Sequence, residues 1–387
     1  MNIKFSVPNL VGTELHNIAK TYLTGGLGEG GLLSRECEAE LLVAMGLPHS
    51  KIVVTTSIGS AYDLLSDLLA LGREEEVLLP SLMHTSAANA FAKRGAKVTY
   101  YDFTQGGYGP TLKLIQEATS DKTRAVVLPH YLGLAEDYRL ICGELRTLGI
   151  LTIEDLSHSF MLSSSSGGGV VGTCADFATI SFADDQWIHC GEAGALVVNS
   201  PAHRCRVDKI RFRGTDKIQF NSAEKIYYDW FEIGGEYSVN EVTAAFLLSQ
   251  LRCRSSICEM SQRVFSGYRE AITEFDRWNV VVAPSLSFSS SLCAPHAFFI
   301  ELDNEKLRNN VCSGMKRVGI DCRPYIQPLH TTTKGRSYLR ASYSLGRSIE
   351  LASRTLRLPL HYQLETRDQD RIIKLVLRLV DNAAKET

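Results

Sequence analysis

Seven side chains able to move protons or ligate metals fall where β-branched runs give way to loops: His84 in LPSLMHTS, Asp155 and His158 in IEDLSHS, and Asp184, Asp185, His189 and Cys190 in SFADDQWIHCG. Imidazole titrates near neutral pH and serves as a general acid or base, whereas histidine grouped with carboxylates is a divalent-metal set. No HxH or HxxxH pair fixes a metal geometry here. A metal site built from His84, Asp155, His158, Asp184 and Asp185 therefore stands as an alternative rather than the leading expectation. Each residue also has a plain structural reading. The aspartates cap turns, His158 is satisfied inside the core, and His189 faces solvent. What these side chains do depends on whether the fold gathers them.

From about residue 51, short β-branched runs alternate with helical ones. KIVVTTS, a helix over 60–71, EEVLLPS, a helix over 85–93, AKVTYYD, a helix over 111–118 and RAVVLPHYLG follow in turn. Strands separated by single helices imply parallel βαβ units. ILTIEDLSHS, FATISF and ALVVN continue the series, which predicts an α/β fold with a mainly parallel sheet of about seven strands and helices on both faces. Such sheets bind ligands outside the carboxyl ends of their strands. TTSIGSA, LPSLMHTS, LPHYLG, IEDLSHS and SFADDQ are therefore expected along one rim. After about residue 240, VTAAFLLSQL and the segment to Phe275 read as long amphipathic helices, and NVVVAP, AFFIELD and IDCRPYI as a small antiparallel sheet. The length exceeds one usual core, so a large domain over 1–250 and a small C-terminal α/β domain over 251–387 are expected. SSSSGGG, from Ser163 to Gly169, reads as a flexible loop at the surface or as a lid.

Composition narrows the function classes. With 44% hydrophobic and 22% charged residues, the chain is neither disordered nor fibrous. A net charge of -2 and a pI of about 6.6 give no field for nucleic acid. The basic stretch Arg204, Arg206, Lys209, Arg211 and Arg213 reads as a solvated helix face or a patch beside an anionic ligand. No apolar run reaches the roughly 18 residues of a membrane span, and Met1 to Leu10 lacks the pattern of a secretory leader. A cytoplasmic protein without a membrane partner is expected. Ten scattered cysteines without a CxxC pair read as reduced thiols.

ANAFAKRGAKVTYYDF, DKTRAVVLPHYLG, IEDLSHSF, SFADDQWIHCGEAGALVV and LRLPLHYQL resemble successive blocks of the DegT/DnrJ/StrS-type nucleotide-sugar aminotransferases. The resemblance starts at PNLVGTEL, covers nearly the whole chain, and is closest to the transaminases that make dTDP-4-amino-4,6-dideoxygalactose. It implies the PLP-dependent transferase-like fold (fold type I), with pyridoxal phosphate (PLP) or its amine form PMP as cofactor. It also implies a homodimer whose sites are completed across the interface. In that family the cofactor phosphate is held by backbone N–H groups and hydroxyls where a strand runs into a helix. Ser57, Ile58, Gly59 and Ser60 occupy that turn, and Ser181 matches the family's phosphate-binding serine. Asp155 matches the aspartate that pairs with the pyridinium nitrogen, and His158 falls where the family has Gln or His near the phenolic oxygen. Tyr325, His330 and His361 lie in segments similar to those that shape the family site, which implies substrate contacts.

Three departures from the family pattern concern the cofactor. The motif SFxxxKxLxxGEGG reads from Ser181 to Gly194 without a gap and places Gln186 at the Schiff-base lysine. His84 stands where the family stacks an aromatic ring on the cofactor, and Glu236 where many members reach the neighbouring subunit's phosphate with an asparagine. A carboxamide forms no Schiff base and is too weak a base to move the substrate Cα proton. A carboxylate near a phosphate dianion repels it by about 1 kcal/mol or more at partly exposed distances. Ordinary transamination is thus expected to fail. The implied protein acts on a nucleotide-linked, dTDP-type keto or amino sugar with PLP or PMP bound noncovalently, and with His84, His158 or His189 as base. Because His84, Trp187 and Glu236 depart as well, natural divergence at residue 186 is favoured over an engineered trap. The alternatives are a cofactor-free or metal-using enzyme on the same fold and a catalytically silent sugar-nucleotide-binding paralogue.

Overall fold

Side-chain alternation along the early strands sends neighbouring residues into different cores. On the first strand Ile52 and Val54 enter one apolar cluster while Val53 enters another, the period-2 geometry of a sheet covered on both faces. The computed structural model describes residues 2–23, 26–163, 169–269, 281–282, 296–338 and 344–385. Most of the SSSSGGG segment and the expected helical stretch from 270 to Phe275 lie outside the described residues.

Helices α1 (Glu14–Leu23) and α2 (Leu32–Met45) precede β1 (Lys51–Thr55), α3 (Ile58–Leu69), β2 (Glu76–Pro80), α4 (Thr85–Arg94) and β3 (Lys97–Tyr101). The series continues with α5 (Leu112–Ala118), β4 (Thr123–Pro129), α6 (Arg139–Thr147), β5 (Leu151–Asp155), β6 (Phe177–Ser181) and β7 (Gly194–Val198). These strands make one seven-stranded sheet in the order β1-β7-β6-β5-β4-β2-β3. β7 runs antiparallel to β1 and β6, and the other pairings are parallel. One face packs on α3 and α4 through Leu64, Leu65, Leu68 and Phe91. The opposite face packs on α2 through Leu41 and on α6 through Ile141 and Leu145. The carboxyl ends of the parallel strands thus meet the N-termini of α3 and α4 along one rim.

Downstream lie α7 (Arg204–Ile210), α8 (Lys217–Asn221), α9 (Glu241–Arg252) and α10 (Arg254–Arg269). A second, antiparallel sheet follows, built from β8 (Val281–Val282), β9 (Phe298–Glu301), β10 (Arg323–Pro324) and β11 (Thr355–Leu358) in the order β10-β11-β9-β8. α11 (Glu305–Arg317) and α13 (Thr366–Lys385) cover it through Val311, Met315, Ile372 and Val376, while α12 (Gly346–Arg354) leads into β11. Trp187 packs against the cores of both sheets.

Three details differ from the sequence reading. Thr355–Leu358, overlapping the start of the LRLPLHYQL block, forms the ladder strand β11, whose partners Phe298–Glu301 and Arg323–Pro324 are distant in sequence. The basic stretch around α7 is not a freely solvated face. Arg211 is buried against Glu38 and Asp208, and Arg206 meets Glu232. Cys258 is disulfide-bonded, which corrects the expectation of ten reduced thiols, since spacing along a chain does not reveal proximity in space. Among the described residues no helix is long and apolar enough to cross a membrane.

Candidate functional site

Where β1 turns into α3, Ser57 caps the helix and its Oγ accepts from the Ser60 amide at 3.0 Å. The first amides, those of Ile58 and Gly59, lie within the turn whose N–H groups have no intrahelical acceptor. Gly194 opens β7 directly opposite Thr55. A Cβ at residue 194 would lie 2.6 Å from the Ser57 carbonyl and the Ile58 nitrogen, so the turn requires glycine beneath it. α4 begins beside this turn. A Cβ on Gly59 would come within 3.9 Å of Ser86 Oγ. His84 is the N-cap of α4: its Nδ1 accepts from the Ser86 amide at 3.4 Å and lies 2.8 Å from Ser86 Oγ, leaving the exposed ring edge to Nε2.

Asp155 closes β5 and is held from two elements. Tyr62 on α3 donates its hydroxyl to Oδ2 at 2.7 Å, and Ser157 donates both its amide, at 2.8 Å, and its hydroxyl to Oδ1. Burial, with the Asp155 charge second, pushes the Tyr62 phenol up, so it stays a donor. A carboxylate has about four lone-pair sites, so Oδ2 keeps one open. Three residues on, His158 stacks on His296 with centroids 4.5 Å apart and an interplanar angle of 11°, and its edge meets Tyr325 at 6.1 Å. Both imidazoles are pulled down to about 3. Burial is the main cause; the positive charge of Arg357 adds to it in both rings, and that of His296 adds further in His158. Both rings are therefore neutral at physiological pH. His296 Nε2 lies 3.8 Å from Asp185 Oδ2.

Gln186 sits in the tight turn after β6, its amide bonded to the Ala183 carbonyl and its Nε2 donating to Asp185 Oδ1 at 3.1 Å. With His158, Phe160, Ser181, Trp187, Ile188 and His296 it lines a cavity of about 20 Å³, room for about one water. Ser181 ends β6 and its Oγ accepts from the Ala183 amide. The fold therefore joins His158, Ser181 and Gln186 in one cleft. Asp155 lies at the same rim, and the capped turns of α3 and α4 adjoin.

Other expected residues stand elsewhere. His189 is buried rather than solvent-facing; its Nε2 contacts the Asn9 carbonyl at 2.7 Å and its ring meets Phe246. Cys190 faces the Phe182 carbonyl, and burial pushes its thiol up to about 12. His330 is bonded through Nδ1 to Ser81, pinning the loop that carries His84. His361 is buried with Lys4 and Asp368 as neighbours. Glu236 is exposed and paired with Arg213, which also meets Glu29 at 3.2 Å. Among the described residues no group of three or more His, Cys, Asp or Glu side chains is placed to hold a metal ion. Sequence reasoning missed Tyr62, Ser157, His296 and Arg357. Tyr62 had no signal beyond its place one turn into the helix, whereas the histidine of APHAFFIELD, next to a strand, offered a weak one.

Comparison with known proteins bears on the fold and the family. Over 375 residues the chain is 29% identical to the dTDP-4-dehydro-2,3,6-trideoxy-D-glucose 4-aminotransferase of Saccharopolyspora spinosa, spanning 94% of this chain and 93% of that one. The aminotransferase TlmJ from Streptoalloteichus hindustanus shares the fold at a TM-score of 0.84 and 24% identity, over 99% of this chain and 100% of its own. Spr1654 of Streptococcus pneumoniae, described as a sugar aminotransferase, matches in its PMP and PLP forms, each at a TM-score of 0.87 and 18% identity, with 99% or more of both chains covered. The architecture is that of the fold type I aminotransferases. Residues 10–377 match one family model, and with nearly the whole chain inside it the protein belongs to the DegT/DnrJ/EryC1/StrS aminotransferase family.

Proposed function

We propose that the chain acts on a nucleotide-linked keto or amino sugar of the dTDP type, holding PLP or PMP without a covalent tether. The S. spinosa relative, a dTDP-4-dehydro-2,3,6-trideoxy-D-glucose 4-aminotransferase, supports the substrate class. The observation that carries the reading is the contrast between Asp155, already oriented by Tyr62 and Ser157 with one lone pair open, and Gln186, which offers a carboxamide.

The residues fit the cofactor's needs. Asp155 would face the ring nitrogen, the amides of Ile58 and Gly59 with the hydroxyls of Ser57, Ser60 and Ser181 the phosphate, and His84 the ring face. When bound, PLP supplies a protonated heteroaromatic ring that accepts electrons from substrate carbon. Tyr62 keeps Asp155 turned toward the site, and its donated hydrogen bond favours the charged carboxylate. Gln186 donates a hydrogen bond and removes no proton. His158 and His296, neutral and held down to about 3, are weak bases. Proton transfer therefore falls to His84, the solvent-exposed member of the three expected bases. The reading includes a homodimer: Ile226, Tyr227, Trp230 and Ile233, in the segment between α8 and α9, are each more than 70% exposed, and a second copy would cover them.

Titration of the purified protein with PMP and PLP, followed in the near ultraviolet, tests the reading. Saturable binding is expected, and borohydride treatment in the presence of PLP should leave residue 186 unmodified. Failure of either cofactor to bind overturns the cofactor assignment. A reduced adduct on another amine, such as Lys217, which now pairs with Glu29 at 2.8 Å, would move the catalytic position elsewhere.

A further inference from the structure

Cys142 on α6 and Cys174 in the loop before β6 are 32 residues apart in the chain, yet their sulfurs lie 3.7 Å from each other. The two thiols differ in setting. Cys142 is buried in the apolar cluster of Ile141 and Leu145, where helix packing fixes it. Cys174 is half-buried, and Arg146 of α6 donates to its carbonyl at 3.1 Å, which holds the loop against the helix. The Cys174 thiol also donates to the buried Glu154 carboxylate at 3.4 Å, and that carboxylate accepts from the amides of Gly172 at 3.0 Å and Ala175 at 3.2 Å. Cysteines that serve only as small apolar side chains need neither a carboxylate nor access to solvent. Cys312 and Cys322 show the contrast: both are buried, and each turns its thiol to the other's backbone carbonyl. The sulfurs of a disulfide stand about 2.0 Å apart, so joining Cys142 to Cys174 takes a movement of about 1.7 Å. A loop side chain can make it.

We propose that Cys142 and Cys174 form a site of reversible oxidation by hydrogen peroxide, in which Cys174 is oxidised first and Cys142 then closes an intramolecular disulfide. Access sets that order, because susceptibility follows exposure. The Cys174 thiolate, its proton released to solvent, attacks one peroxide oxygen; the O–O bond breaks, and the departing hydroxide takes up a proton to become water. The Cys142 sulfur then attacks the sulfenic sulfur of Cys174, the S–O bond breaks, and hydroxide leaves with the Cys142 proton as a second water. Two thiols are oxidised to one disulfide while one peroxide is reduced to two waters. Contact with the Cys142 sulfur, then burial, push the Cys174 thiol up, so the reaction quickens as pH rises and more thiolate forms. Cys142 shelters Cys174 from the irreversible sulfinic acid, the next step of oxidation. Neither step involves the cleft or its ligands.

The test treats the full chain with hydrogen peroxide at mildly alkaline pH, blocks the remaining thiols with an alkylating reagent, and maps peptides by mass spectrometry without reduction. A peptide pair joined through Cys142 and Cys174 is expected, carried by a chain that runs as a monomer on a non-reducing denaturing gel, and dithiothreitol should return both peptides to free thiols. Cys142→Ser should leave Cys174 as a sulfenic acid that dimedone captures, passing to sulfinic acid with longer exposure. Cys174→Ser should leave Cys142 unoxidised, because no solvent-accessible partner remains to react first. In the wild type, Cys174 recovered as free thiol or sulfinic acid, or joined to any other cysteine, overturns the proposal. So does a link found only between two chains. Oxidation of Cys142 in Cys174→Ser at the wild-type rate would overturn the order of events. The wild-type map decides the existence of the site even where a variant fails to fold.

Discussion

Asp155 reaches its working orientation before any ligand arrives, because Tyr62 and Ser157 hold its two oxygens from different elements. Tyr62→Phe should therefore weaken PMP binding about tenfold or more, since loss of one hydrogen bond to a charged group is worth about 1.5–3 kcal/mol; titration calorimetry checks it. The imidazole pair gives a prediction in pH. Folded His158 and His296 bind protons only near pH 3, whereas in the unfolded chain they bind them below about 6.5. Their stabilising contribution is complete above that value and is lost as pH falls through it, by about 1.4 kcal/mol per imidazole near pH 5.5. Urea unfolding at roughly pH 7.5 and 5.5 should show this loss in the wild type and a smaller one in the His158→Phe/His296→Phe variant; equal losses would refute it. At residue 186, Gln186→Lys alone is expected not to give amino transfer to a dTDP-4-keto-sugar, because His84 remains a poor stacking ring. Addition of His84→Phe and Glu236→Asn should recover at least PLP binding, measured by absorbance, with Arg213 still meeting Glu29. Robust transfer by the single variant would contradict divergence of the whole pocket.

Element boundaries explain which parts of the site could be read from the chain. Ser57, Asp155 and Ser181 sit at strand ends, where composition changes within a few residues, and the strands themselves read clearly because β-branched runs are bounded by turn residues. β11 was missed for the opposite reason. Four residues followed by Pro359 give too short a pattern, and only the ladder to β9 and β10 reveals the strand. Arg357 was invisible with it. Tyr62 and His296 act through partners 93 residues away in the first case and across a stacking contact with His158 in the second, relations that no local window carries. The α3 turn offers a test at this scale. Ser57→Ala removes the cap and should destabilise the fold by about 1 kcal/mol, whereas Gly194→Ala should cost more, because its Cβ meets backbone that cannot step aside. Thermal unfolding of the two variants decides the order.

At the scale of the molecule, one apolar cluster joins the two sheets through Leu82, Phe103, Tyr131 and Phe299, while Ile226, Tyr227, Trp230 and Ile233 stand exposed. Sedimentation at micromolar concentration should show a dimer, and Trp230→Glu with Ile233→Glu should shift it toward monomer without loss of helix content by circular dichroism. A wild-type monomer would refute the shared-interface model. Trp187 stands where the sheets meet, directly after Gln186 and packed on both cores. Its indole is therefore a built-in optical probe: any ligand that enters between the sheets, or any change in their separation, should alter its emission maximum and its quenching by iodide. Arrival of substrate could then be followed in real time in the unlabelled protein.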